Sequence, residues 1–161
     1  MADSIREQII QGFKDQAEKI TLANGYNTDV GAVVERGIAD VRIEKTPAFS
    51  FVLPGTESST REFGVYILTM PVEINAIHTL FYTDTDGVLQ KYNSSVLAER
   101  ILGDLIKGIL GNRSNISLMD DINYTGGGIE DYPTPEDQLI WVRASFDIVY
   151  PTTIGDPYSQ P

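Results

Sequence analysis

A chain of 161 residues with 12 Lys and Arg against 23 Asp and Glu carries a formal net charge of −11, which repels phosphate and lacks the basic patch that non-specific nucleic-acid binding needs. It contains no cysteine, so disulfide scaffolds, thiolate metal sites and cysteine nucleophiles are excluded, and that absence suits assembly in a reducing cytoplasm. With 42% hydrophobic residues there is material for one core, a domain of this size burying roughly 68–70% of its unfolded surface.

No stretch approaches the ~18 consecutive apolar residues of a membrane span, and the opening MADSIREQ lacks the basic and apolar regions expected of a signal peptide. The first predicted element is a helix over residues 4–23. Ser4 with Glu7 forms a capping box, Ile5, Ile9, Phe13, Ala17 and Ile20 recur at helical spacing, and Asn24-Gly25 supplies a left-handed stop. Residues 32–36 and 48–53 read as short strands; Pro54-Gly55 breaks the second, and residues 56–61 read as an exposed turn.

Residues 62–79 alternate Tyr66, Leu68, Met70, Val72, Ile74 and Ala76 against Thr69, Glu73 and Asn75, the period of a strand with one buried face. Pro71 lies inside it and cannot donate to a ladder, so the strand is expected at an edge or bulged there. After a polar connection at 82–92, Ser94 or Ser95 is expected to cap a helix with Leu97, Ile101, Leu102, Leu105, Ile109 and Leu110 in one stripe. Gly103 and Gly108 interrupt it and suggest close approach to the sheet or the first helix; Gly111-Asn112 marks its end. A short strand at 122–124 leads to Gly126-Gly127-Gly128, read as a flexible hairpin loop, and to an acidic stretch at 130–137. The last strand, 138–150, places Ile140, Val142, Ala144, Phe146, Ile148 and Tyr150 on one face and is expected to close at Pro151. These elements predict a single α+β domain over 1–150, a two-layer fold whose mostly antiparallel sheet has both helices on one face. An extended polar tail follows at 151–161, with no core to join.

Chemistry-bearing motifs are few. His78 is the one histidine and has no second histidine or cysteine as a metal partner. The glycine triplet lacks the lysine of a P-loop and fits no dinucleotide fingerprint. Asp84 and Asp86 precede Gly87, but counting that glycine as sixth in a calcium loop puts Tyr82 first and Asn93 where a glutamate belongs. A solvated turn is the default there and at Asp120-Asp121, with a weakly held divalent cation at a subunit boundary as the alternative. No carboxylate pair marks a glycosidase. The residues point to a non-enzymatic protein without an organic cofactor.

Three segments carry a family resemblance. The opening IREQIIQGFKDQAEKITLANGYNTDVGAVVERG, the helix from Leu97 to Leu105 with the following 121–128 stretch, and the final strand through GDPY stand in an order that resembles tail-terminator and related minor tail proteins of tailed phages. Residues 44–92 match no part of that pattern. The resemblance implies a structural virion protein at the head-proximal end of the tail. Copies of the chain would form a hexameric ring on the last ring of the major tail-tube protein, stop tube growth and offer a surface to the head-tail connector protein. DNA would pass through without specific binding, and no membrane is involved.

Closing such a ring needs a heterologous interface. The expected interface or lumen residues are Asp84, Asp86, Glu130, Asp131, Glu136 and Asp137, with Pro71 marking a free strand edge. Other neck, tail-completion or baseplate roles share this logic. A monomeric cytoplasmic domain that binds a peptide or ligand along an exposed strand edge is the alternative from another class.

Overall fold

The computed structural model describes residues 2–37, 47–130 and 138–161. Helix α1 spans Ile5–Ala17, and the Ser4 hydroxyl accepts the Glu7 N–H at 3.2 Å, as the capping box predicts. It stops short of residue 23 because Lys19 and Ile20 donate to carbonyls only three residues back, Gln16 and Ala17, which tightens the last turn. Ile20 nonetheless stays fully buried, so the apolar spacing continues past the end of the helix. A 3-10 turn, Leu22–Asn24, follows and closes on Gly25 at a φ of 81°.

Among the described residues the main sheet has six strands: β1 (Val34–Arg36), β2 (Ala48–Pro54), β3 (Ser58–Glu62), β4 (Val65–Thr79), β7 (Asp121–Ile129) and β8 (Leu139–Thr153). Its order is β1-β2-β4-β8-β7, with β3 beside the first half of β4; only the β1–β2 pair is parallel. Strands β5 (Phe81–Thr83) and β6 (Leu89–Lys91) form a separate hairpin. Helix α2 (Ser94–Leu110) packs on β7 and β8 and against α1, and Phe13 of α1 meets Phe146 of β8 edge-on at 5.6 Å. The expected α+β two-layer fold is therefore present.

Several expectations are corrected. β4 is interior to the sheet, not an edge. Gly55 N–H donates to the Pro71 carbonyl at 2.7 Å, so Pro71 faces away from β8, into the gap where β2 has ended and β3 has not begun. Its missing N–H costs no ladder bond there. β8 likewise does not close at Pro151 but runs to Thr153, because Pro151 lies beyond the start of β7, whose pairing begins at Val149. Residues 58–61, expected in a turn, and Glu62, expected to open the long strand, form β3, while the 82–92 connection contains most of β5 and all of β6. All of β3 and most of the β5–β6 hairpin are exposed, so neither shows a buried-face alternation.

The α2 cap is Asn93, not Ser94 or Ser95; its side chain accepts the Val96 N–H at 3.2 Å. The glycine triplet belongs to β7, with a bulge between Tyr124 and Gly126, and is not a hairpin loop. The C-terminal tail folds back: Pro157 C=O accepts the Ile5 N–H at 3.0 Å and Gln160 Nε2 donates to Leu118 C=O at 2.6 Å. The tail thus satisfies an orphan donor of α1.

Asp104 of α2 is 1% exposed and accepts from Asn27 N–H at 2.9 Å, Asn27 Nδ2 at 3.0 Å and Thr28 Oγ1 at 2.8 Å. These bonds tie the segment after α1 to α2. Asp104→Ala strands those donors in the interior and is expected to cost about 2–3 kcal/mol, read as a lower urea midpoint at unchanged slope. Of the two interior helix glycines, only Gly108 is pressed close: a Cβ there would lie 2.6 Å from fully buried Ile20, whereas none of the surroundings comes within 4 Å at Gly103. Gly103→Ala is expected to stabilise by about 0.5–1 kcal/mol, and Gly108→Ala to destabilise by about 1–3 kcal/mol, in the same titration.

Candidate functional site

At the end of the sheet where β4 finishes and β8 starts, Leu80 N–H donates to Gln138 C=O and Tyr92 N–H to Leu80 C=O, both at 2.8 Å. These bonds seat the β5–β6 hairpin. Its turn is organised by Asp84, whose carboxylate accepts the N–H groups of Val88 at 2.9 Å and Asp86 at 3.0 Å, and Gln90 Nε2 at 3.0 Å. The Val88 bond, then the Gln90 bond, hold the Asp84 carboxyl below the usual carboxylate range. Asp84 is therefore a turn-forming acceptor, and Asp86 contributes its backbone N–H to it.

Glu130 lies toward the same end of the sheet, beyond β7, in an ion pair with Arg143 at 2.8 Å. Asp131, Glu136 and Asp137 lie outside the described residues. Pro71 sits in mid-β4, remote from this end. The other acidic pair is also locally engaged: Asp121 accepts the Ile122 N–H at 2.9 Å and Asn123 Nδ2 at 3.2 Å. Among the described residues no group of three or more His, Asp or Glu is placed to hold a metal ion.

Between the segment after α1 and the β5–β6 hairpin runs a cleft of about 340 Å³, lined among others by Leu22, Asp29, His78, Phe81, Tyr82 and Tyr92. Tyr82 and Tyr92 stack at 4.4 Å, and Lys91 Nζ stands 5.5 Å over the Phe81 ring. Asp29 is fixed at the rim by accepting the Leu22 N–H at 2.7 Å. Leu22 and Tyr82 remain 56% and 41% exposed, and Val88, Leu89 and Val96, close by in the chain, are also exposed. The cleft therefore joins apolar and aromatic surface to one carboxylate, that of Asp29. His78 is buried at its base, its Nδ1 2.6 Å from the Thr79 carbonyl and its ring edge-on to Tyr92. Burial lowers its pKa; the Thr79 carbonyl and Asp29 oppose that shift. It is a satisfied interior residue.

The opposite end of β4 carries a feature that sequence reasoning passed over. Phe63 and Gly64 join β3 to β4 in a two-residue turn with φ of 45° and 89°, the left-handed pair of a type I′ hairpin. Phe63 is fully exposed. A non-glycine residue in that conformation costs about 1–2 kcal/mol, and Phe63 regains nothing by burial. Phe-Gly is not one of the residue pairs that mark such a turn, and β3, exposed throughout, shows no alternation, so the sequence carries no clear hairpin signal at 63–64.

Neither a scan against protein-family models nor a search of the curated proteins matches this chain.

The His78 shift has a stability consequence. Its folded-state pKa lies below the ordinary 6.5, so the unfolded chain takes up the proton first as pH falls through that value, and stability rises with pH across the window. The melting temperature is expected to fall between about pH 7.5 and 5.5, above the range where carboxylates titrate. Melts at intervals across that window should show this slope lost in His78→Gln.

Proposed function

We propose that this chain is a structural subunit of a tailed-phage virion that assembles as a hexameric ring on the end of the tail tube. There it ends tube growth and provides the surface to which the head-side connector joins. The observation that carries this reading is the ordered resemblance of residues 5–37 and 97–158 to tail-terminator proteins. The meeting of its parts supports it: Asp104, in the second matched stretch, holds Asn27 and Thr28 of the first. The net charge of −11 fits a ring through which DNA passes without adhering. Peptide docking along a β4 edge loses its support, since β4 is paired on both sides.

Residues 44–92, outside the matched pattern, contain both the β3–β4 hairpin and most of the cleft. The partner of each face is therefore a matter for direct test against other neck and baseplate roles. Native mass spectrometry with the tube protein present is expected to give a six-fold ring that co-purifies with tubes and halts their elongation. A strict monomer at every concentration, with and without tube protein, would end the ring reading. Co-purification with the connector alone would move the chain to another neck position.

A further inference from the structure

We infer that Phe63 of one copy inserts into the cleft between Leu22 and the β5–β6 hairpin of the next copy, forming the repeating head-to-tail contact. The inference rests on the ring reading for its setting and on three features of the chain for its content.

The first feature is a knob with no use inside its own fold. Phe63 is fully exposed and held in the left-handed region at the tip of a hairpin whose outer strand, β3, is exposed throughout. Asparagine or glycine suits such a turn; phenylalanine there gives up local comfort and buries nothing. The second is a hole of matching character. The cleft of about 340 Å³ has aromatic walls in Phe81, Tyr82 and Tyr92 and room for one phenyl group with its hairpin tip. Of the exposed large apolar residues, Leu22, Tyr82, Val88, Leu89 and Val96 all belong to the cleft or to the chain segments next to it.

The third is position. The tip precedes the first residue of β4 and the cleft surrounds its last, so the 15 residues of that strand separate them by about 50 Å at roughly 3.3 Å per residue. Phe63 cannot reach its own cleft. A knob and a hole on different surfaces of one chain make a heterologous contact, which propagates until it closes into a ring or continues as a filament. Charge agrees with this pairing. Arg61 makes no ion pair among the described residues, and the cleft lining includes the carboxylate of Asp29.

Two substitutions test the contact from either side in the full chain. Phe63→Asn suits the turn, so its melting temperature as a monomer should equal or exceed that of the parent. Leu22→Asp alters an exposed rim residue. Each variant alone is expected to raise the self-association constant for dissociation at least tenfold by sedimentation. An equimolar mixture is expected to form one-to-one dimers, since the intact cleft of the first meets the intact Phe63 of the second. A photo-activated benzoylphenylalanine at position 63 should attach to peptides containing residue 22 or residues 81–92 of another copy.

Rings that persist undiminished in Phe63→Asn, or adducts that map elsewhere on the chain or onto the tube protein, overturn this inference and leave the ring reading standing. A parent chain that stays monomeric under all conditions overturns both.

Discussion

β4 and β8 run antiparallel through an unbroken register from Val65 opposite Thr153 to Thr79 opposite Leu139, and the other elements are fixed by their relation to this ribbon. β2 and β3 share the outer side of β4, β7 lies along β8, and the helices cover the face that carries Met70, Val72 and Ile74 with Phe146 and Ile148. Two prolines sit within the ribbon, and both are placed where a flanking strand is missing. Pro71 falls between the ends of β2 and β3, and Pro151 falls past the start of β7. A residue without an N–H is tolerated in a long strand at such partner breaks. The prolines therefore mark where neighbours change, which is a more specific meaning than an edge.

The parts of the fold legible in the sequence are those with one buried and one exposed face. Alternation over β4 and β8 and the helical spacing of α1 and α2 follow directly from the interface between the two layers, whereas β2 is buried on both faces over Ala48–Val52 and was legible from its apolar run and the Pro54-Gly55 break. β3, β5 and β6 bury almost nothing, so no hydrophobic period could reveal them; they exist because a neighbouring strand or turn supplies hydrogen bonds. The glycines of β7 read as a loop because glycine is ordinarily a turn residue. Here a Cβ at Gly127 would stand 2.4 Å from the Arg143 carbonyl and 2.9 Å from Leu102, so close packing beneath α2 decides the residue.

The same distinction separates the candidate sites. Asp84 and Glu130 drew attention as acidic residues at projecting positions. One is saturated by turn N–H groups and the other by Arg143, so their charges serve local structure first. His78 is accounted for by burial and the Thr79 carbonyl. Phe63 escaped notice because a single phenylalanine beside a glycine resembles the start of a strand. Its significance arises from exposure and backbone conformation together, and neither is readable from residue identity alone. The cleft is equally invisible in sequence, since it unites residues 22–29 with residues 78–92.

A rigid connection between knob and cleft has a mechanical consequence. Binding is weakened when the partners must first order mobile segments, whereas the tip and the cleft lie at the two ends of one continuously paired strand. The angle between them is then set by the twist that β4 and β8 accumulate along their length, since paired strands rotate by roughly 20–25° relative to their neighbours. In a head-to-tail assembly that angle determines whether copies close into a ring, and at what number. The pairing that builds the core would therefore also determine ring size, since the proposed contact draws on both ends of β4 and on the 22–29 segment beside one of them.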